Sequence, residues 1–256
     1  MRNTRLKPIN GKKGAENREA RFPLFQIRLR FAGDYNNTEV LKITERIEDL
    51  IFKLSKSLSN YIYNISSQEG NNMTLPDIET LVQGYSVGGY TLKEEQEVIN
   101  LLTAYKYTIG LVRSGEFTLS KKLLLKIHSM TGYGITKVWG EFRSESVAIG
   151  GTINYRCPDH ELLEQRFEEG FKSRVERYSG KELAIELFLW LCYSQFFIDC
   201  NKRTARIFIN GYLINEGLGI FDIPIKKVRE YNRLMCRYYD TLEKEKVKRF
   251  LLGCIE

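Results

Sequence analysis

Apolar residues recur at helical spacing along most of the chain, and polar residues fill the positions between them. From Glu39 to about Ile65 the series Val40, Ile43, Ile47, Leu50, Ile51, Leu54, Leu58 and Ile62 predicts one long helix, with Asn37 or Thr38 as its cap. Polar residues 66–74 read as a loop. Leu75-Pro76 opens a short helix that ends at Gly84. Thr91-Leu92-Lys93-Glu94 has the spacing of a capping box and starts a helix through Val98, Leu101, Leu102, Tyr105 and Ile109 to about Ser114. Further helices are predicted over Thr118–Met130, Glu161–Tyr178, Lys181–Phe197 and Asn201–Glu216, the last closed by Gly217. Two more are predicted over Ile225–Asp240 and Leu242–Leu252. Two stretches break the rhythm. Leu24–Phe31 alternates and predicts a short strand. Trp139 to Tyr155 is rich in β-formers and glycine and predicts a hairpin or flap. About eight helices and few strands predict a mainly α protein.

One turn stands out chemically. Two apolar runs, Leu187–Phe197 and Ile207–Ile214, flank Asp199-Cys200-Asn201-Lys202-Arg203-Thr204-Ala205-Arg206. The pattern reads as helix, tight turn, helix, with Asn201 as N-cap of the second helix. Lys202, Arg203 and Arg206 then fall in its first turns, where the helix dipole is already positive, a placement that costs about 0.3–1 kcal/mol per cation. An arriving anion reverses that sign, and a phosphate chain is the best candidate. Asp199 is placed to hold the magnesium ion that accompanies a nucleotide. The competing reading is a solvated loop with a snorkelling basic face.

Charge narrows the alternatives. The net charge is +7, of which +5 lies in residues 1–21, leaving +2 for the rest of the chain. The body is therefore not a basic nucleic-acid surface, and contact with nucleic acid is expected only through the tail, which otherwise reads as disordered. Five scattered cysteines without a CxxC pair indicate thiols in a reducing, cytoplasmic setting. Two histidines, His128 and His160, exclude a multi-histidine metal centre. His128 reads as a core histidine of its helix, and His160 as a residue near the flap. No run reaches transmembrane length. Tyr231, Tyr238, Tyr239 and Phe250 at helical spacing read as core.

The turn resembles the signature of the Fic/Doc (Fido) family, HxFx(D/E)(G/A)N(G/K)RxxR. Here it reads Gln195-Phe196-Phe197-Ile198-Asp199-Cys200-Asn201-Lys202-Arg203-Thr204-Ala205-Arg206. The resemblance extends to Leu75-Pro76 through Gly84, Ser86–Gly89, Asn100-Leu101-Leu102, Ala104, Gly140–Arg143 and Val147–Thr152, and so covers residues 75–217. It implies a Fic-fold helical bundle with a small β-hairpin flap, laid out as a tail (1–21), an N-terminal extension (22–74) and a Fido domain with C-terminal helices (75–256). It implies transfer of AMP from ATP to a hydroxyl of a target protein, or phosphoryl transfer as in the Doc branch, which shares Lys after the Asn. By position, Asp199 would coordinate Mg²⁺. Cys200, Asn201 and Lys202 would cradle phosphates, and Arg203 and Arg206 would clamp them. Val147, Ala148, Ile149, Gly150, Gly151 and Thr152 would align a target segment by strand addition.

The departures bear on activity. The family's catalytic base is His, and Gln195 stands in its place; an amide cannot take a proton from an attacking hydroxyl. Phe196 replaces the usual Pro, and Cys200 replaces Gly or Ala. Losing a general base costs about 10²–10⁴ in rate, although a glutamine can still orient a nucleophile. The expectation is thus an impaired or atypical transferase, or else a nucleotide-binding pseudoenzyme within a regulatory or toxin–antitoxin complex. Many relatives carry an inhibitory helix, (S/T)xxxE(G/N), whose Glu pairs with the second motif Arg. The comparable segment is read as Glu79–Gly84, with Gln83 at the acid's place, so restraint is expected from a separate inhibitory partner or not at all.

Overall fold

The computed structural model describes residues 37–256, with side chains from residue 41. The tail 1–21 and the strand predicted at Leu24–Phe31 lie outside the described residues. Ten α-helices follow in order: α1 (Asn37–Lys56), α2 (Leu58–Gln68), α3 (Leu75–Val82), α4 (Leu92–Ser114), α5 (Lys121–Thr131), α6 (Leu163–Arg177), α7 (Gly180–Ser194), α8 (Asn201–Asn215), α9 (Val228–Thr241) and α10 (Glu245–Leu252). Short 3₁₀ turns, His160–Leu162 and Ile225–Lys227, lead into α6 and α9. The mainly α reading and the helical bundle hold.

Two expectations change locally. The single helix predicted over 39–65 is split at Ser57, whose N–H is shared between the carbonyls of Lys53 (3.1 Å) and Leu54 (3.2 Å). The apolar spacing runs straight through this tightened turn, so the pattern does not reveal it. The hairpin at 139–155 is not formed: among the described residues that segment has no paired strand, and the one ladder contact is an isolated bridge between Phe221 and Ile255. The glycines and β-formers there build turns in which Gly140 and Gly151 adopt positive φ.

The centre of the bundle is the antiparallel pair α7–α8. Residues 183–192 of α7 are all buried, as are nearly all of α8. Helices this apolar on every side must be covered on every side. The helices α4 and α5 pack on α8, while α6 and α10 pack on α7. The residues Ile62, Ile65 and Met73, before position 75, join the same core. Close approach of α4 and α8 depends on Gly211: a Cβ there would lie 2.3 Å from Phe117 Cε2 and 2.6 Å from Thr108 Cγ2. That contact fixes where the first turn of α8 sits.

Candidate functional site

The chain leaves α7 through Gln195 in the left-handed region (φ 45°) and enters α8 through Cys200, also left-handed (φ 60°). Neither is glycine, so each carries a strain of roughly 1–2 kcal/mol that the surroundings must hold. Cys200, not Asn201, is the N-cap. Asn201 is the first helical residue and turns its side chain backward. Its Oδ1 accepts from Phe197 N–H (2.9 Å), and its Nδ2 donates to Phe197 O (2.7 Å) and Gln195 Oε1 (3.0 Å). The amide therefore braces the turn rather than capping the helix. The N–H groups of residues 201–203 have no partner among the described residues, which leaves an anion cradle at the start of α8.

Gln195 is held at both ends. Its Nε2 donates to Cys192 O (2.6 Å) while its Oε1 accepts from Asn201. An amide so engaged is not free to orient a nucleophile. His128 is fully buried, stacks on Phe197 at 3.6 Å, accepts from Gly140 N–H at Nδ1 (3.0 Å) and faces Asp199 O at Nε2 (3.3 Å). Burial pushes its pKa down to about 4. It is a neutral strut, in keeping with its reading as a core histidine of its helix. His160 lies beside its neighbour Asp159 and is not part of the site.

The three misplaced cations have partners that the sequence reading did not supply. Lys202 pairs with Glu69 (3.1 Å), and Arg203 with Asp199 (3.1 Å) and Glu97 (3.4 Å). Arg206 is buried, donates to Gln68 Oε1 and stands 5.5 Å over the Tyr231 ring. Glu69, Glu97 and Asp199 thus pair two of the three cations, and the third, Arg206, meets a neutral amide and a ring. The reading of Glu79–Gly84 as the counterpart of the inhibitory segment is overturned: Gln83 is exposed at the end of α3, and Gln68-Glu69 at the end of α2 meets the motif. A signal for this was present. Glu69 sits at a helix C-terminus, the end where the dipole disfavours an acid. It is the mirror of the cation anomaly at the start of α8.

One cavity of about 390 Å³ opens over the turn. Gln195, Asp199, Cys200, Asn201 and Lys202 line it, with Gln68 and Glu69 on one side and Ala148, Ile149 and Gly150 on another. Tyr231 and Tyr239, read as core, are buried and also form its wall together with Met235 of α9. Arg203 and Arg206 lie beneath the lining rather than in it, and Val147, Gly151 and Thr152 do not reach it. Cys200 is no nucleophile: burial pushes its pKa up to about 12, and its Sγ contacts Thr131 O at 3.4 Å. The Asp199 side chain is half exposed, with Oδ1 engaged by Cys200 N–H and Arg203. No group of three or more His, Cys, Asp or Glu able to hold a metal occurs among the described residues. Asp199 alone offers one half-exposed carboxylate, a donor that suits a hard cation such as Mg²⁺ but is not a complete ligand set.

A helical bundle with an anion-ready helix start beneath a polar cavity defines the class. Residues 118–213 match the model of the Fic/DOC family. The chain carries a Fic/DOC family domain. It is 29% identical over 200 residues to the protein adenylyltransferase Fic of Drosophila erecta and to that of Drosophila grimshawi, covering 77% of this chain in each case. The chain spans about 40% of the length of these curated relatives. In fold it is similar to Fic-1 (residues 134–508) of C. elegans, with a TM-score of 0.64 at 18% identity, covering 90% of this chain and 78% of that one. It is likewise similar to a Fic domain containing signaling protein from Bacteroides thetaiotaomicron, with a TM-score of 0.64 at 16% identity, covering 90% and 91%. No helix among the described residues is long and apolar enough to cross a membrane.

Proposed function

We propose that this chain binds ATP with its phosphates on the first turn of α8, and that it is a protein adenylyltransferase of impaired or atypical activity. The observation that carries the reading is the convergence of the cavity, the unpartnered N–H groups of 201–203 and the side chains of Asp199, Asn201 and Lys202. The name shared by the relatives supports AMP transfer to a protein hydroxyl over phosphoryl transfer. In this reading Asp199 holds Mg²⁺, which neutralises phosphate charge when bound. The backbone of 201–203 and Lys202 orient the phosphates. Arg203, paired with Asp199 and Glu97, and Arg206, held by the neutral amide of Gln68, place positive charge beneath the cradle. Residues 147–152 offer an edge to the target segment.

Gln195 sets the limit on turnover. Its amide has no basic site, and both its ends are bonded inside the fold. This favours, as the second reading, a pseudoenzyme that binds nucleotide or target without turnover. Glu69 supplies, within the chain, the carboxylate that restrains the cradle by occupying Lys202, so no antitoxin partner is required for that role.

Two measurements test this. ATP with Mg²⁺ raises the melting temperature, and the rise is larger in Glu69→Gln, because Lys202 is released; no rise in either protein removes the nucleotide from the proposal. Labelled ATP is then incubated with a cell lysate and either the natural chain or Gln195→His. Transfer by the histidine variant at 10²–10⁴ times the natural rate fits a missing base. Transfer by the histidine variant alone assigns the natural chain as a pseudoenzyme.

A further inference from the structure

The loop that faces the cavity is fastened by two polar anchors, neither of which touches the cradle. The first is Arg143, buried to 3% exposure with no acidic partner among the described residues. Its Nε donates to Gln195 O (2.6 Å), its Nη1 to Glu145 O (2.7 Å) and its Nη2 to Pro158 O (2.6 Å), while its own N–H donates to Phe196 O (2.9 Å). One guanidinium thus closes both ends of the 145–158 loop onto the end of α7, where the helix dipole welcomes a cation. The second is Asp240, near the end of α9. Its Oδ1 accepts from three successive backbone N–H groups, Ile153 (2.9 Å), Asn154 (2.8 Å) and Tyr155 (3.1 Å). These bonds, Asn154 first, hold the carboxyl below its usual range. Tyr155 adds a hydroxyl bond to Tyr193 O (2.8 Å). Between the anchors, the backbone of Val147 and Ala148 makes no hydrogen bond among the described residues.

We propose that Asp240 and Arg143 are positioning residues that set the height and register of segment 147–152 over the cavity. The proposal rests on the reading of that segment as the edge offered to a target. An edge strand can place an incoming chain only if its own path is fixed. Here no ladder fixes it, so the path is fixed from outside, by a carboxylate at one shoulder and a guanidinium at the base. Arginine is required at the base, because a lysine cannot reach three divergent carbonyls at once.

The test uses hydrogen–deuterium exchange on the whole chain, comparing the natural protein with Asp240→Ala and Asp240→Asn. Asp240 is only partly buried, so both variants are expected to fold; Arg143→Lys is a second probe of the base. In the free protein, Asp240→Ala speeds exchange at residues 153–155 tenfold or more, and Asp240→Asn, which keeps an acceptor, restores most of the protection. With ATP and Mg²⁺, the natural protein gains protection at 147–150 and at 200–204. In Asp240→Ala the gain at 147–150 is lost and that at 200–204 is kept. Equal exchange at 153–155 in the natural and alanine proteins overturns the proposal, as does an unchanged gain at 147–150. If ATP protects nothing in the natural protein, the nucleotide reading fails instead, and the free-protein comparison at 147–155 alone decides the anchoring.

Discussion

The turn at 195–206 and the loop at 145–158 border the same cavity and are held in opposite ways. In the turn, nearly every polar side chain has a partner within a few residues or across one helix. Asn201, Gln195 and His128 knit it, and Glu69, Glu97 and Asp199 pair two of its three cations. In the loop, most backbone groups are unspoken for, and order comes from two side chains reaching in from elsewhere. The difference separates two tasks. A phosphate site gains from being rigid before the ligand arrives, since its dipoles then need no reorganisation. An edge for a partner chain must keep its own donors and acceptors available.

This contrast predicts that damage to the turn costs more global stability than damage to the loop. The largest effect is expected for Arg206→Ala, which empties a fully buried site, leaves Gln68 Oε1 without its donor and removes the cation over the Tyr231 ring. The expected loss is about 3–5 kcal/mol in denaturant unfolding. A loss below 1 kcal/mol means that the turn is not the rigid partner in the comparison.

The next effect concerns pH. The folded pKa of His128 is lowered to about 4, so the unfolded chain binds a proton first as pH falls below about 6.5. Stability drains from there down to about pH 4, by about 3 kcal/mol in all. Asp222 works the other way: burial raises its pKa to about 6, so its cost to folding grows as pH rises from about 4 to 6. Replacing His128 by Gln should therefore remove the acid-side loss in stability measured from pH 7 to pH 4. An unaltered slope means that His128 is not held neutral by burial.

The smallest effect is expected in the loop. Gly151 has φ +80°, and a Cβ would meet Cys236 Sγ at 3.4 Å. Gly151→Ala should cost about 1–2 kcal/mol, and if the loop is as separable as its anchoring suggests, local exchange at 147–155 changes more than the global midpoint. A larger global loss would join loop and core into one unit.

Much of the fold was legible because the helices are long and amphipathic or wholly apolar. The capping box at Thr91–Glu94 appears as expected, with Thr91 accepting from Glu94 N–H and Glu94 reaching back. The kink at Ser57 was hidden because neighbouring residues keep the helical rhythm. The site was half legible. The Asp199–Arg206 string announces itself by charge at the wrong helix end, whereas Glu69, Glu97, Arg143 and Asp240 lie far from it in sequence and join only through packing. The absent hairpin has the same root. Glycines and β-formers mark a segment that leaves the helical rhythm, but pairing depends on a neighbour that local sequence does not name.

The missing side chain at position 211 has a consequence at a distance. Helix α8 can lie as close to α4 as it does only because nothing projects there, and its first turn is carried on the same rigid rod. A methyl group at 211 would act as a wedge under that rod, tilting the far end where Asn201 and Lys202 stand. A survey of inactivating substitutions would then flag this glycine alongside the motif itself, although it meets no ligand. Loss of function at a residue is thus a guide to leverage as much as to contact.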